Sequence, residues 1–575
     1  AIIFAQWASL LLELGDMERI IEKSSEWETS KKDPIYADGI YFWRGLAQSI
    51  LTNFPPAISD FETLIKNYPE TEYLEEGSLR RGIALFYDNQ LLEAQEALYA
   101  FLEDFPSSNA LDQAHYFLGD IEGYAEEYEL AIDHFQKSIE LTNTIQIVES
   151  ATFRLGEIYE RLERYDDMIA VFQGFIEENP ASIVVTDAIL QLGRAYEFTR
   201  NPNGMLELYR NSIAKEYKNP GNLGIDALIE AYTEKYDRNK TILLETVALL
   251  DRLDEDLEFR TKFVTDRGFL FEQFYNNKDL EQSLYNRLRA HKSFSEQLLD
   301  DLSPIADITT VYREQLAQYP SQTPEEYFKS LLKTAQAEND RIGEIRMLMG
   351  LYRSGLKVEP KEPFTREDLN TASPRVLLYI ADLARENDQI EFAVEAWEAV
   401  LERFANDDAG IVAYLRLADY NEQIGELETA LTKLEAIEKL YPGSPQLPAV
   451  ILRQGELLTK LGKTDAARKR YQYILKVPDW RGVAHARALL QTGDAYVADK
   501  AYDKAHGFYE RTFLTYPQFG EWSARAYLAD AKVLLKLGSK EDAVTTLQEA
   551  VDRLAEAAPV EVFEEIQTKL RDLQS

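Results

Sequence analysis

Residues 114–135 read AHYFLGDIEGYAEEYELAIDHF. Gly119 is followed by Ala131 twelve residues later and by Phe135 sixteen residues later. The same ruler can be laid along the chain in steps of 37. Gly45, Gly82, Gly119, Gly156 and Gly193 are evenly spaced, and one step back from them stands Ala8. At plus twelve come Ile20, Ala57, Ala94, Ala131, Met168 and Met205; at plus sixteen come Ser24, Phe61, Leu98, Phe135, Phe172 and Tyr209. The pattern returns near the other end. Ala381, Ala418 and Gly455 are 37 apart, and Gly493 and Ala531 follow at 38. Their plus-twelve residues are Ala393, Ala430, Ala467, Ala505 and Ala543, and their plus-sixteen residues are Trp397, Leu434, Tyr471, Tyr509 and Leu547. A period of this length is the mark of a stacked repeat, in which one unit cannot bury its own apolar stripe alone.

Each unit reads as two amphipathic helices around a short turn. Small residues at the anchor and at plus twelve allow the helices to approach closely, and the large plus-sixteen residue is expected to fill the gap to the next unit. Four turns carry glycine: Leu14-Gly15-Asp16, Ile424-Gly425-Glu426, Leu461-Gly462-Lys463 and Leu537-Gly538-Ser539. Pro69, Pro106, Pro180, Pro442 and Pro517 stand at plus twenty-four, where a residue without N–H stops the second helix.

Small-residue, Ala, aromatic and Pro positions matching at eleven anchors resemble the tetratricopeptide repeat family. The resemblance implies an all-α solenoid, a right-handed superhelix of antiparallel helix pairs. It covers residues 1–223 as about six repeats and 372–575 as about five repeats plus a capping helix. Residues 224–371 are helical by periodicity but the anchors blur. Gly268 and Glu230 are candidate anchors, and Glu338-Asn339-Asp340 resembles Glu386-Asn387-Asp388, which places a degenerate anchor at Lys333 with Met349 at plus sixteen. Degenerate repeats and a distinct helical domain both remain open for this middle, and Leu356 to Ser373 reads as a linker.

Composition narrows the chemistry. The 575 residues contain no cysteine, which excludes disulfides, thiol catalysis and Cys-ligated metals. A formal net charge of −38 disfavours nucleic acid as a partner. The most apolar stretch, Ala1 to Leu12, is too short to span a bilayer. The chain begins with Ala, not Met, which reads as a processed or truncated product. There is no Gly-rich phosphate loop, no His-Glu-x-x-His and no Gly-x-Ser-x-Gly, so no enzyme, metal or cofactor is expected. The five histidines are His115, His134, His291, His485 and His506. His115 and His134 share one unit without a third ligand at fixed spacing and read as structural or solvent-facing. Asp120, Glu122, Glu126, Glu127 and Glu129 read as a solvated acidic face.

A solenoid of this kind binds partners along the first helices. The residues just after the anchors are Ser9, Leu46, Ile83, Asp120, Glu157, Arg194, Asp382, Asp419, Glu456, Asp494 and Lys532. Six are acidic, and four of those, Asp382 to Asp494, lie in consecutive units. Leu378, Leu415, Leu452 and Leu490 precede anchors by three residues. Carboxylates beside leucines suit a partner segment that is basic and apolar, or amide-rich. They disfavour the acidic C-terminal peptides gripped by co-chaperone members of the family. A solvated row is the competing interpretation. Residues 451–490 carry +6 while 101–150 carry −10. Arg453, Lys460, Lys463, Arg468, Lys469, Arg470, Lys476, Arg481 and Arg487 make up this basic run. Within it Arg453, Lys463, Arg468, Lys469, Arg470, Arg481 and Arg487 form a candidate docking patch for an acidic surface, including another copy of this chain.

Tyr-Pro or Phe-Pro linkers followed by Ser or Thr, with Ala-His-Tyr-Phe-Leu-Gly-Asp at 114–120, resemble bacterial cell-envelope members of the family. These include accessory proteins of outer-membrane assembly and of the Tol–Pal system. The resemblance implies a non-enzymatic interaction scaffold in the periplasm or at the outer membrane, with peripheral membrane association possible. Lipid attachment in that group uses an N-terminal Cys, which this sequence does not contain. A strut in a large secretion, motility or surface machine, a regulatory module joined to an N-terminal effector, and a cytoplasmic location are the alternatives.

Overall fold

The computed structural model describes residues 2–30, 37–275, 284, 302–554 and 557–574. His291 lies outside them. Among the described residues the chain is helical, with one short 3-10 turn at Pro478–Trp480. It divides into two compact units, 1–334 with 350–356, and 335–349 with 357–575. No described helix is long and apolar enough to cross a membrane.

Each regular repeat is an antiparallel helix pair. Leu111–Tyr124 packs on Tyr128–Leu141 in the first unit, and Leu447–Lys460 on Thr464–Lys476 in the second. The plus-twelve residues from Ile20 to Met205 and from Ala393 to Ala543 are all fully buried. The plus-sixteen residues are buried too, in cores that reach into the following repeat. They also pack on the anchor of their own repeat. A Cβ added at Gly45 would lie 2.9 Å from Phe61, and one at Gly119 the same distance from Phe135. A further contact to the following repeat falls three residues later, where Leu64 lies so near Gly77 that a Cβ there would be 2.5 Å away. The reason is helical geometry: positions three apart share a face, so plus sixteen and plus nineteen reach successive neighbours.

The turn inside each repeat has one conformation throughout. Seven residues after every anchor the backbone enters the left-handed region. Glycine supplies it at Gly15, Gly425, Gly462 and Gly538. Thr52, Asn89, Glu126, Glu163, Arg200, Asp388 and Lys500 adopt it with a side chain, at φ between 56° and 63°. The next N–H then bonds back five residues, as in Arg164 N to Tyr159 O at 2.8 Å and Lys463 N to Leu458 O at 2.8 Å. This closes the first helix by satisfying carbonyls that have no intrahelical partner.

The linkers have a chemistry of their own. Two residues after each of three prolines a hydroxyl accepts a backbone N–H and donates to a carboxylate on the preceding first helix. Thr71 donates to Asp38 at 2.7 Å, Ser108 to Glu75 at 2.5 Å and Ser182 to Glu149 at 2.6 Å. Their acceptor bonds come from Tyr73, Ala110 and Val184. The linkers that follow Tyr68-Pro69, Phe105-Pro106 and Asn179-Pro180 are thus pinned by hydrogen bonds.

The middle departs from the ruler. The helix Ile225–Glu255 runs for 31 residues straight through the turn that an anchor at Glu230 would require. Glu230 is ion-paired to Arg353 at 2.7 Å instead. Gly268 is exposed, in the first turn of the short helix Arg267–Tyr275. Lys333 is also exposed, whereas Leu332 is buried. The left-handed residue is Asn339, φ 55°, so the anchor register belongs to Leu332, with Leu348 rather than Met349 at plus sixteen. Tyrosine hydroxyls tie the first unit's part of this region together: Tyr319 to Tyr236 O at 2.6 Å, Tyr236 to Pro320 O at 2.8 Å and Tyr327 to Arg210 O at 2.7 Å.

Candidate protein-binding surface

First helices of successive repeats touch one another, as Leu111–Tyr124 and Ile145–Arg161 do. The faces they share carry the anchor-plus-one residues. These carboxylates are engaged within the chain. Asp120 is buried, with Arg154 Nε 3.0 Å from its Oδ1. The same Arg154 reaches Glu157 at 3.1 Å. Asp382 lies 3.4 Å from Arg385 and 4.0 Å from Arg416. Asp419 pairs with Arg453, which also holds Glu422 at 2.8 Å. Glu456 accepts from Gln491 and lies 3.5 Å from Arg487. Asp494 accepts from the Tyr509 hydroxyl at 2.6 Å. Arg154, Arg416 and Arg453 all stand two residues before an anchor, 34 after the carboxylate they meet. Three rungs of the ladder follow this step; Glu456 instead meets Gln491 and Arg487, and Asp494 meets Tyr509 of its own repeat.

Carboxylates outside the ladder absorb much of the rest of the basic run. Besides Arg453 and Arg487, Lys463 pairs with Glu428 at 2.9 Å, Arg468 with Asp499 at 2.6 Å and with Asp465, and Arg470 with Glu438. The Lys469 and Arg481 side chains are exposed and make no ion pair among the described residues. Of the seven patch residues, two, Arg453 and Arg487, thus meet carboxylates of the row, three pair with carboxylates outside it, and two stay exposed.

The four leucines separate. Leu452 and Leu490 are buried between repeats, 1% and 7% exposed, and pack in the cores around Tyr471 and Tyr509. Leu378 and Leu415 are half-buried and reach the surface. Two open grooves run along the second unit. One of about 490 Å³ is lined by Arg385, Trp397, Arg416, Asp419, Tyr420 and Arg453. Another of about 490 Å³ is lined by Asp494, Tyr502, Arg525, Leu528, Lys532 and Lys536.

In the first unit the inner face is different. Reading two before and five after each anchor adds Phe117 and then Tyr87 and Tyr124 to the post-anchor line. Phe54 stacks on Tyr87 with ring centroids 5.5 Å apart; Tyr87 and Phe117 are 5.8 Å apart; Phe86 is 5.3 Å from Phe117 and 6.3 Å from Tyr124. Tyr87 and Tyr124 are 57% and 61% exposed. Sequence reading of the post-anchor column alone misses this surface. The signal was there at minus two and plus five, which share a helix face with plus one.

The acidic face expected around Asp120 is only partly solvated. Glu122 is fully buried and accepts from the Tyr99 hydroxyl, which lies 3.1 Å from His134 Nε2. His134 Nδ1 is 2.7 Å from His115 Nδ1. Burial, reinforced by the neighbouring His115 and Lys137, pushes His134 down to about 4. Burial likewise lowers His115 and raises Glu122. The network joins helices of two repeats and keeps both imidazoles neutral. Among the described residues no group of three or more His, Asp or Glu could hold a metal. His485 Nε2 donates to Val477 O at 3.1 Å, and its Nδ1 lies 3.3 Å from the Tyr516 hydroxyl.

Known proteins echo this architecture in two places. A tetratricopeptide repeat-like domain matches residues 366–492, and a tetratricopeptide repeat matches residues 150–182. Repeats of this type are thus present in both units, and the fold is an α-solenoid of tetratricopeptide-type helix pairs. No curated protein matches the sequence. Among solved structures, MamA is 22% identical at TM-score 0.26, covering 33% of this chain and 97% of that one. Naa15/Naa10 bound to HypK-THB is 13% identical at TM-score 0.29, covering 93% and 96%. The APC/C hetero-tetramer Cut9–Hcn1 is 13% identical at TM-score 0.26, covering 94% and 97%.

Proposed function

We propose that this chain is a non-enzymatic scaffold that holds other proteins along the inner faces of its helix stacks and orders their assembly in a bacterial cell envelope. One observation carries the scaffold role. Successive first helices present exposed polar and aromatic side chains along grooves that open to solvent, on a frame whose anchors and turns are fixed repeat after repeat. A rigid, extended surface of this kind suits the capture of protein segments with little ordering cost to the frame. The partner segments are basic and apolar in the first unit, and of mixed charge in the second, where carboxylates and arginines alternate. The envelope setting draws its support from the Tyr-Pro and Phe-Pro linkers with their Ser and Thr, and is compatible with a chain free of cysteine.

Crosslinking of the tagged full chain in intact source cells, followed by fractionation and mass spectrometry, tests both parts. The scaffold role requires crosslinks from first-helix residues to a defined set of proteins. Crosslinks confined to the chain itself would end it, and recovery from cytosol alone would end the envelope assignment. A strut role is favoured by one feature, the 31-residue helix that interrupts the repeat rhythm, and predicts crosslinks concentrated at that region instead.

A further inference from the structure

The aromatic face of the first unit lies in a stretch of singular charge. From Gly82 to Gln136 there are twelve Asp and Glu and not one Lys or Arg. Several rings elsewhere have cations of the chain's own over them: Arg164 lies over the buried Tyr159, Arg194 over Phe198 and Arg487 over Trp522, at 5.0, 5.4 and 4.9 Å. None of the rings Phe54, Phe86, Tyr87, Phe117 and Tyr124 is paired in this way among the described residues. Beside Tyr124 lies a pocket of about 140 Å³, lined by Glu126, Tyr128, Arg154, Glu157 and Arg161 among others. Gly123 opens onto it, with nothing within 4 Å of where a Cβ would stand. Arg154 there is already committed to Asp120 and Glu157.

We propose that the ring face Phe54–Tyr87–Phe117–Phe86–Tyr124 is a binding site for a basic, apolar segment of a partner protein, whose Arg or Lys side chains lie on Tyr87 and Tyr124 while its apolar residues cover Phe86 and Phe117. Charge complementarity selects this occupant. Aromatic faces attract cations through the ring quadrupole, and the surrounding carboxylates supply a long-range field of the matching sign. An acidic segment would be repelled by that field. A purely apolar one would leave it unused. A second copy of this chain is disfavoured by its own net charge of −38. The site rests on the scaffold function above and names the chemistry of one of its partners. It also locates that chemistry in the first unit, where the exposed rings stand, whereas Asp419 and Glu456 of the second are met by arginines of the same chain.

The test uses the full chain and two fluorescein-labelled decapeptides, one alternating Arg with Leu and one alternating Glu with Leu, followed by anisotropy at about 0.15 M salt, where distant charges are screened. The Arg–Leu peptide should bind and the Glu–Leu peptide should not. Tyr87→Ala with Tyr124→Ala changes no charge and removes two exposed rings, so it should weaken the Arg–Leu peptide about tenfold. Tyr87→Phe with Tyr124→Phe should retain wild-type affinity, because the ring and not the hydroxyl does the binding. Unchanged affinity in the double alanine variant would overturn the site. So would loss of affinity only in Asp419→Asn with Glu456→Gln, an outcome that leaves the scaffold function standing but moves it to the second unit. Failure of both peptides to bind would also overturn the site, while the crosslinking experiment judges the scaffold function independently.

Discussion

The two regular arrays share a frame and differ in what they display on it. In both, the anchor, plus-twelve and plus-sixteen residues are buried, and the chain turns at plus seven through a left-handed residue. In the first array the repeats anchored at Gly82 and Gly119 show exposed aromatic rings on this face, beside Asp120, which Arg154 meets. In the second the inner carboxylates of Asp419 and Glu456 are met by Arg453 and Arg487. The same helix face therefore carries a cluster of exposed rings in one region and a longer run of carboxylates met by arginines in the other. Frame residues are set by packing between adjacent helices. Face residues are free to vary, and function can be sought there.

If the frame is common, core truncations should cost alike in both arrays. Phe135→Ala is expected to destabilise by about 3–5 kcal/mol and Leu434→Ala by about 2–5 kcal/mol, each removing a fully packed side chain and leaving a cavity. Urea unfolding checks this, and a cost below about 1 kcal/mol in one array would show that its frame is looser.

The next largest contrast concerns ion pairs. Arg44 and Asp60 are both buried, 2.6 Å apart, and Glu28 joins them. Burial pushes the Asp60 carboxyl up, while Arg44 beside it pulls the other way. Arg44→Met leaves Asp60 unmatched and should cost about 3–5 kcal/mol. Arg453→Met, on the more exposed ladder of the second array, should cost about 1 kcal/mol or less. Equal losses in thermal melts would mean that the ladder is as dry as the buried pair.

Two histidines should give the arrays opposite responses to acid. His134 is held neutral, about 4 against the ordinary 6.5, so the unfolded chain gains its proton first. Its contribution is intact above 6.5 and is lost as the pH falls from there towards 4. His506 is half-buried, which alone would lower it, but Asp530 at 2.7 Å raises it. Its stabilising contribution is full below 6.5 and disappears as the pH rises through the raised value. Hydrogen exchange at pH 5 and pH 7.5 should therefore show the repeat of His134 loosening in acid while that of His506 tightens. His134→Gln should abolish the first trend.

The smallest effect lies in the turns. Glu163→Gly relieves a side chain at φ 56° and should stabilise by roughly 0.5–1 kcal/mol, whereas Gly462→Ala, at φ 73°, should destabilise by about 1 kcal/mol. Melting temperatures that move in the same direction for both would show that the turns are not equivalent.

Much of the frame was legible in the sequence, because the same residue types recur at anchor, plus twelve and plus sixteen in many repeats. The turn was legible only where Gly15, Gly425, Gly462 or Gly538 stands. Thr52, Glu126 and Lys500 occupy the same conformation with nothing in their identity to announce it. The candidate anchors Glu230 and Gly268 did not mark repeats; this region is tied by tyrosine hydroxyls on distant carbonyls, such as Tyr327 on Arg210. Glu122 looked solvated because its partners Tyr99 and His134 come from other helices. The post-anchor column was located, but not its occupation. An aspartate at 419 gives no hint that an arginine 34 residues on will meet it.

That offset of 34 has a consequence for how the array can change over time. Asp120 and Arg154, Asp382 and Arg416, Asp419 and Arg453 repeat the same donor-to-acceptor step. Each repeat carries a plug for the one before it and a socket for the one after. Duplicating or deleting a whole repeat within such a run leaves every plug with a socket, whereas an insertion of any other length strands both. The ladder makes the length of the array adjustable in whole repeats and gives the order of its modules a polarity written in charge.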